Sequence, residues 1–215
     1  MSYEQLKIEI ENLKKDLTET NAKVEKLIQK CKLEASSQEE PVPPTFIKFT
    51  FDKTEPATKI GQFTNKLDVS IGNLSHQFGT ENRHGDFCGI KYFNLTTHQA
   101  LMDMFLPKEL HKHFKVYFYY IDYSDVDPHV EGDVKTFINC YMKPSHSITE
   151  FYGNDEEVGL VNCFDFQPEK GDIWVIDGKV THSISNYNKV VGLSFQTSDL
   201  TYEEVLTHFA NSFCQ

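Results

Sequence analysis

The sequence predicts a mainly β protein. An antiparallel sandwich or barrel with a few flanking helices occupies residues 45–215, preceded by an N-terminal coiled-coil helix over 1–35 and a linker over 36–44. Three observations carry this. From residue 115 onward, short runs of aromatic and β-branched residues recur between turn residues. The aromatic share is 13%, with 17 Phe and 10 Tyr against one Trp, a composition suited to a half-buried pleated surface. The first 35 residues instead keep a heptad stripe with no Gly or Pro.

Taken in order, the stripe puts Tyr3, Ile10, Leu17, Val24 and Cys31 at position a, and Leu6, Leu13, Thr20 and Leu27 at position d. So narrow a seam suits a helix partner better than a broad core face. Glu9 at g is placed to reach Lys14 at e of a parallel partner. The expected partner is a second or third copy of the chain; the alternative is a single amphipathic helix lying on its own domain. SSQEEPVPP, residues 36–44, reads as a solvated linker. FIKFTF (46–51) alternates as a strand. Residues 52–90 are mixed, with turn signals at GTEN and RHGD. NLTTHQALMDMFLPKELHKHF (94–114) reads as helix broken at Pro107, capped by Asn94 or Thr96. Seven strand-like runs follow: KVYFYYID, VKTFINCYM, SITEFYG, LVNCFDFQP, DIWVID, KVTHSISN and VVGLSFQTS. TYEEVLTHFANSF closes the chain as a helix.

Charge and cysteine usage exclude several classes. A net charge of −11 repels phosphate backbones and anionic membrane surfaces, so neither nucleic acid nor membrane is an expected partner. Cys31, Cys88, Cys140, Cys163 and Cys214 form no CxxC pair, which speaks against a disulfide framework or a cysteine zinc site. The start of the chain is too charged for a signal peptide, and no stretch has the apolar length of a membrane span. The expected setting is cytoplasmic, or virion-associated if the chain is viral.

The chemistry concentrates in DPHVEGD, residues 127–133. Residues i and i+2 of a strand face the same side, so His129 and Glu131 are placed to share an ion. A third ligand should then follow on a neighbouring strand, and KVTHSISN supplies His182, in phase with Val180 and Ile184. An inward-facing histidine needs a partner or a metal. Two histidines and a carboxylate form the facial triad of non-haem Fe(II) oxygenases, with coordination positions left open. Of the other histidines, His111 and His113 read as solvated residues near a helix end, and His84 and His146 as turn residues. Asp127 and Asp133 read as loop hydrogen-bonders, Asp177-Gly178 as a hairpin turn, and Cys140 as a small buried residue. No nucleophile elbow, Walker loop or dinucleotide fingerprint is present.

On PHVEGD, TEFYG, FQPEKGDIWVIDGKVTHSISN and VVGLSFQTS, about residues 115–198, the chain resembles the Fe(II)/2-oxoglutarate-dependent oxygenases, in particular small prolyl-hydroxylase-like members of bacteria and phages. The resemblance implies a double-stranded β-helix (jelly-roll, cupin-like) fold, with His129, Glu131 and His182 as iron ligands and 2-oxoglutarate as cosubstrate. It implies oxidation of a small-molecule or peptidyl substrate while 2-oxoglutarate is converted to succinate and CO₂. Two departures stand out. Glu131 replaces the commoner aspartate. Gly192 stands where the family places the arginine that grips the far carboxylate of 2-oxoglutarate, although Ser194 follows as expected. A small residue there leaves room for a cation from elsewhere; Lys189 is near in sequence, Lys143 lies on or just beyond an adjacent strand, and Tyr141 and Asn139 are expected to hydrogen-bond the same ligand. The competing expectation is a non-catalytic β-domain of an oligomeric, for example viral, assembly. A cupin-like protein of other activity is a third, disfavoured because the first motif reads H-x-E and not H-x-H.

Overall fold

A computed structural model describes residues 43–63, 83–87, 90–95, 99–121, 125–144, 146–185 and 189–213, together with Lys14 and Lys23, both in helix. The chain divides into two compact units, Met1–Pro41 and Val42–Gln215. The coiled-coil expectation for 1–35 and nearly all of the linker at 36–44 fall outside the described residues.

The second unit holds twelve described strands and few helices. They are β1 (Thr45–Phe46), β2 (Ala57–Gln62), β3 (Arg83–Phe87), β4 (Ile90–Asn94), β5 (Lys115–Ile121), β6 (Val126–His129), β7 (Thr136–Lys143), β8 (Ile148–Asp155), β9 (Gly159–Phe166), β10 (Asp172–Asp177), β11 (Thr181–Ser185) and β12 (Val190–Thr197). Helix α1 (Gln99–Phe105) and a 3₁₀ helix (Lys108–His113) precede β5, and α2 (Tyr202–Phe213) follows β12. Two antiparallel sheets result: one in the order β1-β2-β10-β7-β12-β5-β4-β3, the other β6-β11-β8-β9. From β5 onward the chain behaves as one long hairpin folded over on itself. β8 pairs β9, β7 pairs β10, β6 pairs β11 and β5 pairs β12, while β7–β12 and β8–β11 contacts close the roll. This is a jelly-roll-like arrangement.

The near-continuous apolar runs of β5, β7, β10 and β12 follow from their position, because their sheet is covered on both faces. One set of alternate residues, including Val116, Phe118, Ile138, Cys140, Val175, Leu193 and Phe195, packs with Phe105, Leu110, Val205 and Phe209 of the helical layer. The other set, including Tyr119, Ile121, Phe137, Tyr141 and Ile176, joins Phe151 and Phe166 in the interior between the sheets. Helix α2 buries Tyr202, Val205, Leu206 and Phe209, the i, i+3, i+4, i+7 face of an amphipathic helix. A capping box starts it: Thr201 N–H donates to Glu204 Oε2 (2.8 Å) and Glu204 N–H to Thr201 Oγ1 (3.4 Å).

The region before β5 departs from expectation. FIKFTF contributes only Phe46 to a strand, β1 being the pair Thr45–Phe46, and the longer strand is Ala57–Gln62. RHGD is not a turn but most of β3, and Asn94 ends β4 instead of capping a helix. The helix expected over 94–114 is confined to α1 and the 3₁₀ turn. β2 and β4 are strands because β10 and β5 offer them an edge, and β1 and β3 pair in turn with β2 and β4, a tertiary opportunity that local pattern does not record. No helix among the described residues is long and apolar enough to cross a membrane.

Candidate metal centre

β6 and β11 pair antiparallel with His129 directly opposite His182. Cross-strand neighbours stand side by side, and the two imidazole centroids lie 4.5 Å apart. His182 is 2% exposed and packs its ring against Phe137 and Phe151, each centroid 5.6 Å away. Its inward orientation agrees with the parity of KVTHSISN.

Glu131 reaches the same place by another route. β6 stops at His129, so shared strand parity does not position the carboxylate, contrary to expectation. The turn after β10 does so. Glu131 N–H donates to Gly178 O (3.0 Å) and Gly178 N–H to Lys135 O (2.9 Å). Lys179 Nζ donates to Gly132 O (2.6 Å). A Cβ on Gly178 would stand 2.8 Å from Val134 O and 3.4 Å from Glu131 Cβ, so only glycine allows this approach. Glu131 Oε1 then sits 3.6 Å from His129 Nε2. One ligand atom from each of His129, Glu131 and His182 lies within 4.8 Å of the others.

The outer shell defines the tautomers. His129 Nδ1 lies 2.8 Å from Asp127 O, and His182 Nδ1 lies 2.9 Å from Val180 O. A carbonyl only accepts, so each Nδ1 carries the proton and each Nε2 keeps its lone pair for an ion. Burial works against a charged His129, but the hydrogen bond to Glu131, the Asp127 carbonyl and the carboxylate charge outweigh it, and its pKa is raised. For His182 burial dominates, opposed by the Val180 carbonyl and reinforced by His129, and the pKa is lowered. Burial thus favours neutral His182, while the Glu131 carboxylate favours the charged form of His129.

Beside the three ligands lies a cavity of about 20 Å³, bounded by Glu131 and His182 and by Tyr119, Asn139, Tyr141 and Ser194. That is room for about one water-sized group. Asn139, Tyr141 and Ser194 thus stand together next to the metal ligands. Lys189 does not join them: its Nζ lies over the Tyr120 ring, 4.6 Å from the centroid. Lys143 is exposed at the end of β7. No Lys or Arg is among the described residues lining the cavity. The space beside Gly192 is not open to a cation either, because a Cβ there would meet Tyr119 Cε1 at 2.8 Å and Cys140 O at 2.6 Å. Tyr119 is the residue that sequence reasoning missed. Its signal lay in register, since a glycine directly opposite a tyrosine on the next strand gives the ring a floor to lie on.

The remaining residues singled out in the sequence take local roles. His111 Nε2 contacts Leu106 O at 3.1 Å, and His113 Nδ1 contacts Asp199 Oδ2 at 3.2 Å. His146 sits in a turn at φ 60°. Asp177 Oδ1 accepts from Lys179 N–H (2.9 Å) in the β10–β11 turn. His84 lies within β3 and not in a turn, and Cys140 is fully buried.

No protein-family model and no curated protein matches the chain. Among solved structures it is similar to Escherichia coli ycfD, at 16% identity and a TM-score of 0.39, over 57% of this chain and 37% of that one. It is similar to vicilin from hazelnut, Corylus avellana, at 12% identity and a TM-score of 0.38, over 55% and 32%. Streptomyces albus HEPD, solved with 2-hydroxyethylphosphonate and Fe(II) bound, gives 11% identity and a TM-score of 0.32, over 51% and 21%. The chain spans well under half the length of each of these. Likenesses at this level carry no functional argument, and the architecture rests on the chain's own strand order.

Proposed function

We propose that residues 45–215 form a mononuclear non-haem iron oxidoreductase of the oxygenase class, built as a double-stranded β-helix. The observation that carries this reading is the convergence of His129, Glu131 and His182, with both imidazoles tethered through Nδ1. Two imidazoles and one carboxylate fit Fe(II) and leave positions for small molecules. The iron, when bound, supplies dioxygen activation. The chain's own contribution is positional. Paired β6 and β11 align the imidazoles, the Gly178 turn holds the carboxylate, and Phe137 and Phe151 keep water from the His182 side.

2-Oxoglutarate, which the family resemblance implies, does not fit the described residues. Its far carboxylate requires a cation or several charge-assisted donors. The described lining offers neither Lys nor Arg, and the Tyr119 ring covers Gly192. We therefore assign the iron-binding half of the family's chemistry to this chain, with a different small co-ligand. We also infer that residues 1–35 join copies of the domain through a coiled coil, with 36–44 as the linker. The second reading, a non-catalytic β-domain in an oligomer, draws its support from the same small cavity.

The deciding experiment loads the full chain anaerobically with Fe(II) and adds nitric oxide, a dioxygen surrogate. One retained iron per chain and a paramagnetic iron–nitrosyl spectrum, both lost in His182→Ala, support the enzyme. Failure to retain iron leaves the non-catalytic reading. A visible charge-transfer band on adding 2-oxoglutarate would restore that cosubstrate.

A further inference from the structure

The cavity beside the metal ligands contains two buried side-chain oxygens with no hydrogen-bond partner among the described residues: Tyr119 Oη and Asn139 Oδ1. Tyr119 is 4% exposed and Asn139 8%, so bulk water does not satisfy them. Their polarity is defined. Burial holds the Tyr119 phenol in its protonated form, so it donates. The unpartnered Asn139 atom is the amide oxygen, which only accepts.

We propose that this chamber receives a neutral group that both accepts and donates hydrogen bonds, the carboxamide or hydroxyl end of a small 2-oxo acid, and rejects a second carboxylate. A carboxamide matches the pair: its oxygen accepts from Tyr119 and its N–H donates to Asn139. A carboxylate only accepts. It would set its charge against the Asn139 oxygen, with no cation among the described lining residues to offset the cost of burial. A group that reproduces the hydrogen bonds of the water-sized volume it fills loses nothing on entry, and one that cannot is penalised. Tyr119 thereby becomes a specificity-determining residue, holding the ground beside Gly192 that would otherwise admit a longer cationic side chain. The proposal rests on the iron reading for the near end of the ligand; the preference at the far end stands on the chamber alone.

The test compares 2-oxoglutarate with its 5-carboxamide, 2-oxoglutaramate, which has the same length and differs at the far end. The full chain is loaded with Co(II), whose visible absorption reports co-ligand binding. The amide is expected to bind at least about tenfold more tightly, the scale of one satisfied hydrogen bond. Tyr119→Phe should erase that preference without lowering the melting temperature of the metal-free chain, because it deletes an unmatched hydroxyl. Equal or tighter binding of 2-oxoglutarate, or an unchanged preference in Tyr119→Phe, overturns the proposal. If Co(II) is not held, the iron reading fails, and thermal shifts of the metal-free chain with the two acids decide this one. A larger rise with the amide supports it; equal shifts, or none, overturn it.

Discussion

Gly178→Ala tests whether the β10–β11 turn, and not strand parity, delivers Glu131 to the metal centre. The added methyl would lie 2.8 Å from Val134 O, 3.2 Å from Lys135 O and 3.4 Å from Glu131 Cβ. Two of these neighbours are backbone atoms and cannot rotate away. The loop over 130–135 must therefore move, and the Glu131 N–H to Gly178 O bond of 3.0 Å stretches with it. Overpacking of this kind costs about 1–3 kcal/mol, read as a lowered denaturant midpoint of the metal-free protein. Loss of a group that orients a metal ligand costs about 10–100-fold in affinity, read by competition titration against a chelator. Both effects should appear together. Stability that falls while metal affinity stays at the wild-type value would show that Glu131 is placed by something other than the turn, and would refute the positioning role of Gly178.

Three further outcomes are expected. Saturating the wild-type chain with Fe(II) or Co(II) at 100 times Kd should stabilise it by about 2.7 kcal/mol, and His182→Ala should remove that gain; a metal-induced shift that persists would place the ion elsewhere. Asp172 is nearly buried and receives Lys59 Nζ at 2.7 Å and Gln62 Nε2 at 2.8 Å. Burial raises its pKa, but these donors and the Glu169 N–H outweigh it, and the value is lowered from 3.8. Its contribution is whole above pH 3.8 and is lost as pH falls through the depressed folded value. Asp172→Asn should cost about 1–3 kcal/mol at neutral pH and flatten the acid limb of a stability–pH curve; an unchanged limb refutes the assignment. Phe105→Ala, removing a ring packed against Phe195 and Phe63, should cost about 3–5 kcal/mol in chemical denaturation, and a loss below about 1 kcal/mol would contradict its place in the core.

The strands after Phe114 were legible because the chain carries its own punctuation there. KVYFYYID, DIWVID and VVGLSFQTS are apolar runs bounded by turn residues, and each became a strand within one or two residues of its expected ends. His129 and His182 were legible for the same reason: each lies on a strand whose phase can be counted. The segment before β5 was not. ATKIGQ and RHGDF lack strong alternation and are strands because β10 and β4 pair with them.

The sequence by itself determined the β class, most of the strands from β5 to β12, and the inward phase of His182. Those follow from short-range rules, the period of two along a strand and the backbone preferences of turn residues. Only the tertiary structure decided how Glu131 arrives, which residue fills the space beside Gly192, and that Lys189 lies over Tyr120 and not at the cavity. Each of these depends on register between strands distant in sequence, and a side chain's neighbours across a sheet are set by pairing that no local window contains.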